Sequence, residues 1–206
     1  MQPERLTVYV VDDDASVRDS LALMLGLSGY STALFADAEA LLVAWRPEWT
    51  GCVVADLRLP GRTGIELQAE LRARGSRLPF IIITAHGDVP TARAAFQAAA
   101  VDFLEKPFDH AQLRAAIERA FSMEGRRLQR SGEAAKLASL TAREREVLVL
   151  AAEGLHAREV AARLGISPRT VEVHKTRIME KLGVRNVAEL VRFALSSEGG
   201  EAGPHG

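Results

Sequence analysis

Short apolar runs alternate with stretches of helical periodicity over the first 120 residues. The runs at residues 6–11, 30–35, 52–55, 80–83 and 101–104 predict five buried strands. Between and after them, residues 16–27, 38–45, 64–73, 91–99 and 109–123 carry the three-and-four spacing of helices, the first closed by Gly29. Five short buried strands joined by helices specify right-handed βαβ crossovers. The fold class they predict is α/β, a doubly wound five-stranded parallel sheet covered on both faces.

From residue 122 the pattern changes. Residues 122–137 hold Gly125, Ser131-Gly132, several basic side chains and little apolar periodicity, and read as a linker whose start continues the preceding helix. Beyond it, residues 141–153, 156–164, 168–182 and 187–195 all read as helix, giving a small all-α four-helix unit. Thr141 with Glu144 has the form of a capping box, Ser167-Pro168 is an N-cap followed by proline in the first turn, and Asn186 can cap the last helix. The division expected is therefore 1–121, a linker at 122–137, 138–197, and a disordered tail at 198–206. No internal repeat is visible.

Composition narrows the class. With 206 residues, 48% hydrophobic and 26% charged, the chain is an ordinary globular protein rather than a disordered one. Apolar runs such as Phe80-Ile81-Ile82-Ile83 are too short to span a membrane, and no membrane partner is expected. The opening residues 1–4 lack the features of a secretory signal, so a cytoplasmic location is expected. A single cysteine, Cys52, excludes an intrachain disulfide framework and reads as a packing residue. The net charge of −1 conceals an asymmetry: residues 1–120 carry −4, residues 121–136 carry +2 and residues 137–196 carry +3. An acidic front and a mildly basic back point to different partners, with phosphate backbones a candidate for the back.

Ligands of open parallel sheets bind beyond the carboxyl ends of the strands. Here those ends carry Asp12-Asp13-Asp14, Asp56, Thr84 and Lys106-Pro107, on strands one, three, four and five. Converging carboxylates repel unless a cation neutralises them, and hard oxygen ligands favour Mg²⁺ over zinc. A carboxylate there can act as nucleophile toward phosphorus, with Lys106 and Thr84 neutralising and positioning the phosphoryl oxygens. Each residue alone has an ordinary reading, since aspartates after a strand commonly serve turns and caps. Their joint placement carries the signal.

The motifs Val10-Val11-Asp12-Asp13-Asp14, Val54-Ala55-Asp56-Leu57-Arg58-Leu59-Pro60, Ile83-Thr84-Ala85-His86-Gly87-Asp88-Val89-Pro90 and Ala100-Val101-Asp102-Phe103-Leu104-Glu105-Lys106-Pro107-Phe108 resemble those of two-component response regulators of the FixJ type. The resemblance covers about residues 6–196 and implies a flavodoxin-like receiver domain at the front. It implies Asp56 as phosphoacceptor, with Mg²⁺ bound by Asp13, Asp56 and the backbone carbonyl of Arg58, and a metal-bound water held by Asp12. Asp14 would be a helix cap. Thr84 would turn toward the phosphoryl group and Phe103 would swing inward, rearranging helix four, strand five and helix five, where receivers dimerise. Lys106-Pro107 resembles the family's cis peptide. Ala99 departs from the glycine common in relatives before the fifth strand, and Arg58 and His86 stand where they would tune the phosphoryl lifetime.

In the back unit, residues 157–176 have helix-turn-helix punctuation, with Gly165 in the turn and Ser167 capping the second helix. Val171, Ile178 and Leu182 form an apolar stripe, while Arg169, Glu172, Val173, Thr176 and Arg177 lie toward other faces. The wording Leu140-Thr141-Ala142-Arg143-Glu144-Arg145-Glu146-Val147-Leu148, Glu153-Gly154-Leu155, Ile166-Ser167-Pro168-Arg169-Thr170-Val171-Glu172-Val173-His174 and Lys181-Leu182-Gly183-Val184 resembles the LuxR/GerE DNA-binding domain. That resemblance implies a recognition helix in the major groove of double-stranded DNA. Glu172, Val173 and Thr176 would face base edges; Arg169, Thr170, Lys175 and Arg177 would lie nearer phosphates. Glu172 suits a cytosine amino group, and Val173 or Thr176 a thymine methyl. Arg158 replaces a lysine common in relatives and keeps its charge, and residues 186–195 resemble the family's dimerisation helix. His174 reads either as a phosphate donor or as a partly buried helix histidine, and with His110, His156 and His205 it forms no zinc pattern.

The reading is a phosphorylation-activated transcription factor: a histidine kinase phosphorylates Asp56, the receiver dimerises, and paired domains bind repeated half-sites, with RNA polymerase a further partner. It is expected to be no enzyme beyond taking part in its own phosphorylation and dephosphorylation. Two rivals remain open. An aspartyl-phosphate phosphatase would turn over a phosphomonoester, and a phosphorylation-independent DNA binder would keep its DNA affinity when Asp56 is replaced by asparagine.

Overall fold

Alternation along the central strands builds two cores at once. In a computed structural model that describes residues 6–85 and 89–198, the strands β1 (Thr7–Val11), β2 (Ser31–Phe35), β3 (Gly51–Asp56), β6 (Phe80–Thr84) and β7 (Asp102–Glu105) form one parallel sheet in the order β2-β1-β3-β6-β7. Tyr9, Val11, Val53, Ala55, Phe80 and Ile82 belong to one buried cluster; Val8, Val10, Val54, Ile81 and Ile83 belong to the other. Because neighbouring side chains of a strand point to opposite faces, a central strand covered on both sides must be apolar throughout. The first cluster includes Leu41 of α2 (Ala38–Ala44) and Leu67 and Leu71 of α3 (Gly64–Ala73). The second takes in Leu21 and Leu25 of α1 (Ala15–Leu27) and Leu113 and Ile117 of α5 (His110–Ala138). Helix α4 (Val89–Gln97) precedes β7. Cys52 lies in the second cluster, and burial pushes its thiol pKa up, as befits a packing residue.

Two features depart from the sequence reading. A two-strand antiparallel hairpin, β4 (Arg58–Leu59) and β5 (Arg62–Thr63), sits between Asp56 and α3. Its strands are two residues long, below the length at which periodicity carries a signal. Residues 122–137, read as a linker, are helical and continue α5 to Ala138. Arg, Gln, Glu, Ala, Leu and Lys are good helix formers and outweigh Gly125 and Gly132 there, though the segment lacks an apolar stripe. The chain divides into two units, Met1–Arg126 and Arg127–Gly206. His86, the amino-terminal residues and the tail beyond residue 198, His205 included, lie outside the described residues.

The second unit holds α6 (Ala142–Ala152), α7 (Ala157–Leu164), α8 (Pro168–Leu182) and α9 (Val187–Glu198) around Leu140, Val147, Leu148, Val160, Val171, Ile178, Leu182 and Leu190. Thr141 and Glu144 form the expected capping box. Glu144 does more than cap. Its buried carboxylate also receives Lys181 Nζ at 2.6 Å, tying the start of α6 to the end of α8.

The hydrogen bond from Lys181 is the main cause that holds the Glu144 carboxyl down at about 2, from an ordinary 4.5. A carboxyl whose pKa is depressed by folding stabilises the fold above its unfolded value and loses that contribution as pH falls through its folded one. Glu144→Gln is therefore expected to lower thermal stability at pH 6, and the gap to the wild type should close between pH 4.5 and about 2. A gap independent of pH in parallel thermal melts would contradict the ion-pair account.

Candidate phosphoacceptor site and nucleic-acid interface

Strand ends bring the acidic residues together. Asp12 follows β1, Asp56 ends the adjacent β3, and both are buried, Asp12 to 1% exposure. Lys106, just after β7, spans the two carboxylates: its Nζ lies 2.7 Å from Asp12 Oδ2 and 2.5 Å from Asp56 Oδ2. Burial alone would lower the Lys106 pKa, but the hydrogen bonds to Asp12 and Asp56 and their charges outweigh it, and the net shift is upward. The ammonium is held charged where two carboxylates need it.

The remaining oxygens are also placed. Asp56 Oδ1 accepts the Arg58 amide at 2.9 Å, and Asp12 Oδ1 accepts the Asp14 amide at 2.9 Å. Arg18 Nη1 donates to the Asp12 carbonyl at 2.6 Å, fastening the end of β1 to α1. Asp14 is the N-cap of α1, accepting from the Ser16 amide at 2.8 Å, and its pKa is lowered chiefly by hydrogen bonds from Ser16. Asp13 is exposed. Thr84 is buried at the end of β6, where the Ile83 carbonyl accepts from Leu57 N at 2.7 Å and the Thr84 carbonyl from Lys106 N at 2.7 Å. Phe103, opposite Ile82, is half-buried against the first core cluster. The Lys106–Pro107 bond is cis, and Ala99 adopts φ +60°, a left-handed conformation that costs a non-glycine residue about 1 kcal/mol or more.

Of the four metal-binding positions expected, Asp12 and Asp56 are thus brought together by Lys106, while Asp13 and Arg58 are exposed at the rim. Among the described residues, no three acidic, histidine or cysteine side chains close into a metal cluster. The donor chemistry nevertheless fits a hard divalent cation, being oxygen alone, with two carboxylates already drawn to a positive charge.

In the second unit, Gly165 ends α7 in the left-handed conformation at φ 65°, and Ser167 caps α8 by accepting from Thr170 N at 3.1 Å. Arg158, Arg169, Glu172, Val173, Thr176 and Arg177 are all exposed, and Thr170 is half-buried with its hydroxyl 2.8 Å from that of Ser167. Lys175 departs from its expected place near phosphates. It is buried within the core stripe of α8 and paired with Glu172. The spacing Val171, Lys175, Ile178, Leu182 sets Lys175 on the apolar stripe, a positional signal that here outweighs its residue type. His174 is half-buried with its Nδ1 enclosed and without a hydrogen-bond partner among the described residues, which favours the packing alternative. Sequence reasoning also missed Arg18, which reaches back from α1 to the Asp12 carbonyl at the end of β1, and Lys181, which pairs with Glu144 far along the chain.

Lys106→Met would leave two buried carboxylates facing each other without a countercharge, and should cost about 1–3 kcal/mol at pH 7. Added Mg²⁺ should restore part of the loss, read as a rise in melting temperature. Gly64 offers a second check, because a Cβ there would stand 2.5 Å from the Asp56 carbonyl oxygen. Gly64→Ala should destabilise by about 1–3 kcal/mol in urea unfolding as the Asp56 backbone is displaced.

Comparison with known proteins agrees with this geometry. Residues 8–118 match the response regulator receiver domain, and residues 138–194 match bacterial regulatory proteins of the luxR family. The chain is 45% identical over 197 residues to the transcriptional regulatory protein FixJ of Azorhizobium caulinodans, covering 94% of this chain and 93% of that one. It is 43% identical over 192 residues to FixJ of Bradyrhizobium diazoefficiens, covering 91% and 94%. Among solved structures, the response regulator StyR is similar with a TM-score of 0.75 at 42% identity, covering 93% of this chain and 99% of that one. Full-length FixJ from B. japonicum is similar with a TM-score of 0.59 at 42% identity, covering 95% and 98%. The chain belongs to the response regulators of the FixJ type, in which a receiver domain is followed by a LuxR-type DNA-binding domain.

Proposed function

We propose that Asp56 is the phosphoacceptor through which a histidine kinase controls binding of α8 to promoter DNA. The observation that carries this reading is the Lys106 ammonium held 2.5 Å from the Asp56 carboxylate, in a buried site at the strand ends. A carboxylate oxygen of Asp56 attacks phosphorus, the bond from phosphorus to the donor nitrogen breaks, and an acyl phosphate forms. Lys106 follows the charge from carboxylate to phosphoryl oxygen, and the Thr84 hydroxyl supplies a further donor. Asp13, Asp56 and the Arg58 carbonyl would hold Mg²⁺, with Asp12 orienting a bound water. When bound, the cation neutralises charge on the phosphoryl oxygens. The site modifies itself and turns over no separate substrate.

The shift of Lys106 and Thr84 toward the phosphoryl group frees space beside β6 for Phe103, a local charge event that biases a packed element. The receiver then dimerises through α4, β7 and α5, and the paired domains bind repeated half-sites, with RNA polymerase as the downstream partner. No described helix is long and apolar enough to cross a membrane; the proposed DNA target sets the site of action in the cytoplasm.

Incubation with acetyl phosphate and Mg²⁺, followed by intact mass measurement, tests the assignment. One added phosphoryl group is expected on the wild type, with none after EDTA treatment and none on Asp56→Asn. A wild type that gains nothing, in an assay fast enough to trap short-lived adducts, would overturn it and leave DNA binding as a constitutive activity.

A further inference from the structure

Helix α8 carries a charge inside its own core stripe. Its buried residues are Val171, Lys175, Ile178 and Leu182. The Lys175 side chain retains only 11% exposure, and its Nζ lies 3.3 Å from Oε1 of Glu172, whose own side chain is 61% exposed. Glu172 shares the exposed surface of the helix with Arg169, Val173, Thr176 and Arg177. One turn on, the Thr176 hydroxyl donates to the Glu172 carbonyl at 3.0 Å, so its proton is already used.

Packing alone would be served by leucine or methionine at position 175, without desolvating an ammonium group. The lysine stem fills the stripe, and its head emerges beside the Glu172 carboxylate. That placement matters on a surface that meets phosphates. An unpaired glutamate there is repelled by the DNA backbone and spreads over several rotamers. Lys175 counters both effects, offsetting the charge and restricting the carboxylate.

We infer that Lys175 is a positioning residue for base recognition, holding the Glu172 carboxylate oriented as an acceptor for the amino group of a cytosine in the major groove. The inference rests on the reading of α8 as the recognition helix. An ionised carboxylate only accepts hydrogen bonds. Cytosine offers its N4 donor on the major-groove edge, whereas adenine sets the N7 acceptor beside its N6 donor, and guanine and thymine present acceptors. An oriented carboxylate therefore selects cytosine, and a wandering one does so weakly.

The test is selection from a randomised duplex DNA library by the full-length protein, with and without acetyl phosphate and Mg²⁺. The wild type should enrich half-sites with one cytosine position that depends on Glu172, and Glu172→Gln should move that position toward adenine. Lys175→Met should retain the other positions and the melting temperature while lowering the cytosine preference by about tenfold. Lys175→Arg should restore it, and Lys175→Gln gives the same readout as Lys175→Met should that variant fail to fold. Undiminished cytosine preference in the neutral variants, or an equal loss at every position, assigns Lys175 to packing and overturns the inference. A motif indifferent to Glu172→Gln overturns it while sparing the recognition helix; a wild type that enriches no sequence under either condition overturns both.

Discussion

Two carboxylates on neighbouring parallel strands, with a lysine held between them, set the terms for the receiver half of this protein. The pairing of β1 with β3 forces Asp12 and Asp56 into proximity. Two like charges about 4 Å apart at the edge of a protein interior repel by about 4 kcal/mol. Lys106, brought from the far edge of the sheet, turns that repulsion into two short ion pairs. The surrounding details serve the same constraint: the Arg58 amide and the Asp14 amide each occupy one carboxylate oxygen, and Arg18 fastens the backbone of Asp12. In the proposed reaction, a phosphoryl group on Asp56 would add charge where the balance is already close, which is the physical basis for the switch proposed above.

The second unit meets a related problem differently. Its small core has Lys175 within it and Lys181 at its edge, each paired with a glutamate. Lys181 is paired with a buried Glu144, and that pair joins two helices. Lys175 is itself buried and paired with an exposed Glu172, so the direction is reversed: the buried charge orders a group on the surface. The same two residue types give cohesion in one place and, in our reading, recognition in the other.

Each unit has its own apolar clusters, two against the faces of the sheet and one among the last four helices. The division falls at Arg126, within α5, so the chain passes between units as helix. A stretch of good helix formers needs no apolar stripe to be helical when a packed helix has already supplied its first turns. That is why residues 122–137 looked like a linker in sequence.

Period and punctuation along the chain were enough for the α/β front, the all-α back, the caps at Thr141 and Ser167, and the placement of Asp12, Asp56, Thr84 and Lys106 at strand ends, because alternation and right-handed crossovers follow from local pattern and a few topological rules. Tertiary structure alone decided which charges far apart in the chain pair. Nothing local ties Lys106 to Asp12 or Lys181 to Glu144, residues far apart in the chain whose meeting depends on how sheet and helices pack. It also decided that Lys175, an ordinary recognition-helix cation by residue type, lies in the core, since burial belongs to a position in three dimensions and not to a residue.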